Sequence, residues 1–126
     1  MKNYDQSKKA KEEFLKNSTI AQMMMTGDPD RVFTREELVA ITGLSDRAIR
    51  NEVAEMANYV AVLSLSKDKG YRVPCFDENT PVEKLIEMTE ELQHQINEFK
   101  SRIDNLKARM KPLVALQKVI EKKLGN

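Results

Sequence analysis

The chain has no tryptophan, one histidine and one cysteine among its 126 residues, and only four glycines and four prolines. Cys75 has no partner for an internal disulfide. With His94 as the only imidazole, the chain falls short of the four ligands of a structural zinc site, so no metal is expected. No apolar run approaches the ~18 residues needed to span a bilayer. The start, Met1-Lys2-Asn3-Tyr4-Asp5-Gln6, lacks the apolar stretch of a secretory signal, and a cytoplasmic location is the expectation. There is no glycine-rich phosphate loop and no Gly-x-Ser-x-Gly. The acids between 83 and 98 fall on a helix exterior, where no pocket gathers them. A non-enzymatic chain without a cofactor is therefore expected.

What the chain has in quantity is charge, 33% of residues, and its distribution is uneven. Residues 1–79 hold twelve Lys/Arg against thirteen Asp/Glu, residues 80–98 one against five, and residues 99–126 eight against two. The net charges are −1, −4 and +6, which add to the overall +1.

The periodicity predicts a mainly α fold with a small β-wing, followed by a long C-terminal coiled-coil helix. Residues 1–17 read as a charged tail or frayed helix, and 18–75 as the folded domain. Ser18 or Thr19 caps a helix whose Ile20, Met23 and Met24 share one face. Gly27-Asp28-Pro29-Asp30 is a turn, and Arg31-Val32-Phe33 is extended. Thr34 and Glu37 have capping-box spacing, opening a helix that Gly43 closes. Ser45 then caps a second helix running to about Asn58, with Ile49, Val53 and Met56 inward. Tyr59–Ser66 reads as a strand, Lys67-Asp68-Lys69-Gly70 as a turn and Tyr71-Arg72-Val73 as the return strand.

Two helices joined by a glycine turn suit a nucleic-acid groove, because the first braces the second and the second has the width of the major groove. Its outward face would carry Arg47, Arg50 and Asn51. Arginine can make paired bonds to guanine and asparagine to adenine, each worth roughly 1–3 kcal/mol of discrimination. Ser45 at the helix start offers a phosphate contact. Lys67, Lys69 and Arg72 place three cations on the hairpin, within reach of backbone or minor groove.

The segment Thr34–Pro74 resembles the winged helix-turn-helix domain of bacterial and bacteriophage regulators. The likeness is carried by Glu37-Leu38, Gly43-Leu44-Ser45, Ile49, Val53 and the stretch from Ser64 to Val73. More narrowly, it is similar to small phage and prophage DNA-binding proteins of Gram-positive bacteria. Many of these share a helix of the form Asp-Arg-x-Ile-Arg, here Asp46-Arg47-Ala48-Ile49-Arg50, and a wing ending in Lys-Gly-Tyr, here Lys69-Gly70-Tyr71. The resemblance covers about a third of the chain. It implies double-stranded DNA as partner, read by Arg47, Arg50, Asn51 and the wing, in a transcriptional regulator or replication accessory factor. Asp46 and Glu52 depart from the usual pattern, since carboxylates on the reading face repel phosphate. A coiled-coil adaptor whose winged domain docks another protein is the rival reading, and a structural assembly protein a third.

After a linker at 76–80, Thr80, Pro81 and Glu83 form a second helix-start signature. From 81 to 126 the pattern is heptad. One row is Val82, Thr89, Ile96, Ile103, Met110, Gln117 and Leu124, and the other is Leu85, Leu92, Phe99, Leu106, Leu113 and Ile120. Such a seam calls for a partner, and self-association is the expectation. The like-charged pair Arg102–Lys107 in a parallel pair, and the opposed charges of the two halves, favour antiparallel pairing. Pro112 is expected either to kink this helix or to fold its end back as a separate one.

Overall fold

The structure is a computed structural model that describes residues 2–125, with side chains from Lys8 onward. Met1 and Asn126, the outer ends of the first and last expected segments, lie outside the described residues. The architecture is mainly α with a small antiparallel sheet and a long C-terminal helix. The helices are α1 (Lys2–Asn17), α2 (Thr19–Met24), α3 (Arg35–Thr42), α4 (Asp46–Met56) and α5 (Val82–Gly125), and the strands are β1 (Val32–Phe33) and β2 (Tyr71–Arg72). The chain divides into two compact units, one ending at Glu91 and the other beginning at Leu92.

In the first unit, a core of Ile20, Ala21, Met24, Phe33, Leu38, Ile49, Val53 and Met56 joins α2, β1, α3 and α4. Full burial of each large apolar side chain contributes roughly 1.5–3 kcal/mol. α1 is a regular helix whose last turns pack Phe14 and Leu15 against this core, and the Phe14 ring lies 5.5 Å from that of Tyr59. Of the methionine triplet, Met24 fills the core, Met23 packs at its edge and Met25 is exposed.

The helix starts follow local chemistry. Ser18 is the cap of α2: its Oγ accepts from the Ala21 amide at 3.0 Å and donates to Glu52 of α4, also at 3.0 Å. Thr34 caps α3 by accepting from the Glu37 amide at 3.1 Å, but the other half of that capping box goes elsewhere. The Glu37 carboxylate pairs with Arg31. Thr80 likewise turns back, accepting from the Asp77 amide and donating to the Asp77 carboxylate, so the expected box at the start of α5 does not form.

One expectation is corrected by tertiary context, and the alternative left open at Pro112 is decided within the helix itself. The strand foreseen over Tyr59–Ser66 contracts to a single bridge at Leu63, whose N–H and C=O pair with Arg72 at 2.7 and 2.9 Å. At one end Tyr59 and Val60 are drawn into turns that unwind α4 onto the Met56 carbonyl. At the other, Ser66–Asp68 coil into a 3-10 turn. β2 instead pairs with β1, Val32 opposite Arg72 and Phe33 opposite Tyr71. In the second unit, α5 runs uninterrupted through Pro112, so no separate final helix forms. The proline removes one bond to Ala108, but both residues are exposed, and water can hydrate that carbonyl.

Candidate nucleic-acid interface

The turn between α3 and α4 is set by Gly43, which adopts φ 75° and returns its N–H to the Val39 carbonyl at 2.8 Å. A side chain there is strained by its own backbone conformation. Ser45 follows as the cap of α4, its Oγ accepting from the Ala48 amide at 3.1 Å. Ser45 is exposed, and because its hydroxyl accepts in this cap, its own hydrogen is left to donate. From this start, one face of α4 carries the buried Ile49, Val53 and Met56. The opposite face carries Asp46, Arg47, Arg50, Asn51 and Ala54, all exposed.

Both acids near this exposed face, Asp46 and Glu52, are accounted for by geometry. Asp46 sits between two guanidinium groups, with Arg50 Nε at 3.1 Å and Arg35 Nη1 at 3.7 Å. It therefore orients cations on the exposed face, and its charge is more than offset there. Glu52 points to the other side of α4 and receives the Ser18 hydroxyl. Arg47 and Asn51 have no side-chain partner among the described residues. Arg35 was not legible as a member of this face. It opens α3 directly after the capping threonine, and only the fold sets it beside Asp46, eleven positions on. Tyr71 was missed too: it packs half-buried against the core, and its phenol is pushed up chiefly by burial, in the field of Arg35, Asp46 and Arg50.

The hairpin cations separate into three situations. Lys69 is exposed at the tip, in the left-handed conformation at φ 54°, with no partner among the described residues. Lys67 is exposed but tethered, its Nζ 2.7 Å from Glu91 Oε2, and this contact raises its pKa. Arg72 is a correction to the expected contact set. Its side chain is 5% exposed, bonded to Glu91 at 3.2 and 2.5 Å and to Asp68 at 3.2 and 3.1 Å, so it faces inward and is not available to a phosphate. The Arg72 guanidinium, more than any other neighbour, holds the Glu91 carboxyl at about 2. Gly70 lets the hairpin close: a Cβ there would meet the Phe33 carbonyl oxygen at 2.5 Å.

The heptad rows of α5 divide. Leu85 and Leu92 are half-buried, and Met88 and Glu91 are buried. Ile96, Phe99, Ile103, Leu106, Met110, Leu113 and Ile120 remain 45–67% exposed. The open seam therefore begins at Ile96. Part of the acidic stretch that favoured antiparallel self-pairing is already engaged, Glu91 by Arg72 and Lys67, and Glu87 by Lys84 at 3.7 Å.

His94 is exposed and lies 3.2 Å from Glu98, one turn away. Cys75 is half-buried. Among the described residues no group of three His, Cys, Asp or Glu side chains could hold a metal, and no helix is long and apolar enough to cross a membrane. No family model, no curated protein and no solved structure matches the chain.

Proposed function

We propose that residues 18–75 bind double-stranded DNA with sequence preference, as part of a bacterial or phage transcriptional regulator or replication accessory factor. The observation that carries this reading is the two-faced character of α4. Its inner side is wholly committed to the core, and its outer side presents Arg47, Arg50 and Asn51 in one exposed row. Core packing thus holds those three side chains on a rigid element, the condition under which base-edge bonds discriminate.

Roles follow from chemistry and position. Arg47 and Asn51 reach base edges, and Arg50, steadied by Asp46, contributes the second guanidinium. Lys69 at the hairpin tip meets a backbone phosphate, and Arg35 adds a cation beside the start of α4. The local balance of Arg35, Arg47 and Arg50 against Asp46 is +2, which supplies the attraction that the net charge of residues 1–79 lacks.

Selection of bound duplexes from a random pool tests the reading. The native chain is expected to enrich a short motif. Arg50→Ala is expected to lose about 1–3 kcal/mol of preference at one base pair, and Lys69→Ala to weaken all duplexes alike. A pool that stays random would favour the rival in which this domain docks a protein, a reading supported by the near-neutral charge of the domain.

A further inference from the structure

We infer that the open stretch of α5, from Ile96 to Leu124, is a docking surface for a helix of another protein whose apolar seam is flanked by Asp and Glu. This does not depend on the DNA reading above.

The argument starts from the seam. Ile96, Phe99, Ile103, Leu106, Met110 and Leu113 alternate three and four residues apart, Gln117 takes the next place, and Ile120 and Leu124 continue the row; the eight apolar side chains are 45–82% exposed. An exposed apolar stripe of this length, interrupted only at Gln117, marks an interaction site. At about 1.5 Å per residue, it accepts a partner helix of about four heptads. Which helix it accepts is set by the residues flanking the seam, because these face the partner's own flanks in either orientation.

Here the flanks have almost one sign. On one side stand Lys100, Lys107, Val114 and Glu121, and on the other Arg102, Arg109, Leu116 and Lys123. Five are cations, one is a carboxylate and two are apolar. The remaining acids of the open stretch, Glu98 and Asp104, lie off the flanks. A second copy of the chain can therefore offer its counterpart only Glu121 against five positive groups.

No orientation removes this mismatch. In parallel, Arg102 faces Lys107 of the other helix in both directions. In antiparallel registers, each pairing that sets Glu121 against Lys100 or Lys107 also sets Lys123 against Arg102 or Arg109. An acidic flank satisfies all five cations at once. Where Val114 and Leu116 replace charge, the partner's flank should be apolar.

The test uses the full chain and two synthetic peptides of about four heptads with identical Leu/Val seams. One peptide carries Glu at its flanking positions, the other Lys. Binding is followed by fluorescence anisotropy, and the state of the chain alone by sedimentation. At about 0.15 M salt the Glu peptide is expected to bind at least about tenfold more tightly. The gap should narrow at about 1 M salt, where the screening length falls to about 3 Å. The variant Lys100→Glu/Arg102→Glu/Lys107→Glu/Arg109→Glu, with its helix content checked by circular dichroism, should reverse the preference. Equal binding of both peptides, no binding of either, or a stable dimer of the chain that the Glu peptide fails to displace would overturn the proposal.

Discussion

Arg72 is the residue at which sequence and structure part most clearly. In the sequence it is one of three cations around a hairpin; in the fold it lies under Glu91 and Asp68. Nothing local distinguishes it from Lys69, because its principal partner is nineteen positions away. Removing it should therefore affect folding. Arg72→Ala leaves two carboxylates short of their cation and is expected to cost about 3–5 kcal/mol in a denaturant titration. Lys69→Ala should leave the same titration within about 0.5 kcal/mol. Glycines were more readable. Gly43 has the positive φ that its place after α3 foretold. The role of Gly70 is steric and was hidden, because the opposing carbonyl belongs to Phe33 on β1. Gly70→Ala is expected to separate β1 from β2 at a cost of about 1–3 kcal/mol, seen as a lower melting temperature.

Among elements, those set by local chemistry matched their forecasts. α3 and α4 begin at Thr34 and Ser45 and contain the apolar rows read from the sequence. The half-made capping box of α3, the absent one at α5 and the shortened strand did not match, because other groups competed for the same atoms. Arg31 took the carboxylate of Glu37, Asp77 took the hydroxyl of Thr80, and β1 became the principal partner of β2. The elements around Arg72 also set a pH response. Glu91 is ionised down to about 2 in the folded chain, against an ordinary value of 4.5. A carboxyl lowered on folding stabilises the fold above its unfolded pKa, and that contribution is lost as pH falls through the folded one. Stability should therefore decline between about pH 4.5 and 2 by a few kcal/mol. Glu91→Gln should be less stable at neutral pH and show a flatter acid limb. A variant with the native acid profile would contradict the network.

At the scale of the whole molecule, mainly α architecture with a small sheet and a long terminal helix was legible from periodicity alone, since heptad spacing and helix caps are local signals. The extent of its open seam was not. Heptad spacing runs from Val82 onward, but Met88 and Glu91 are buried, and the unbroken exposure of the apolar row begins only at Ile96. The exposed face of α4 was legible in Arg47, Arg50 and Asn51, whereas the place of Arg35 beside Asp46 is set by tertiary folding. The central claim, that this face binds the DNA duplex, is tested most directly by the salt dependence of duplex binding, measured by anisotropy for the native chain and for Arg47→Ala/Arg50→Ala/Asn51→Ala. With about two to four phosphates neutralised, the native chain should give a log–log slope of about −2 to −4, and the triple variant should lose sequence preference. Duplex binding that is absent at low salt, or identical in the two proteins, would contradict the account.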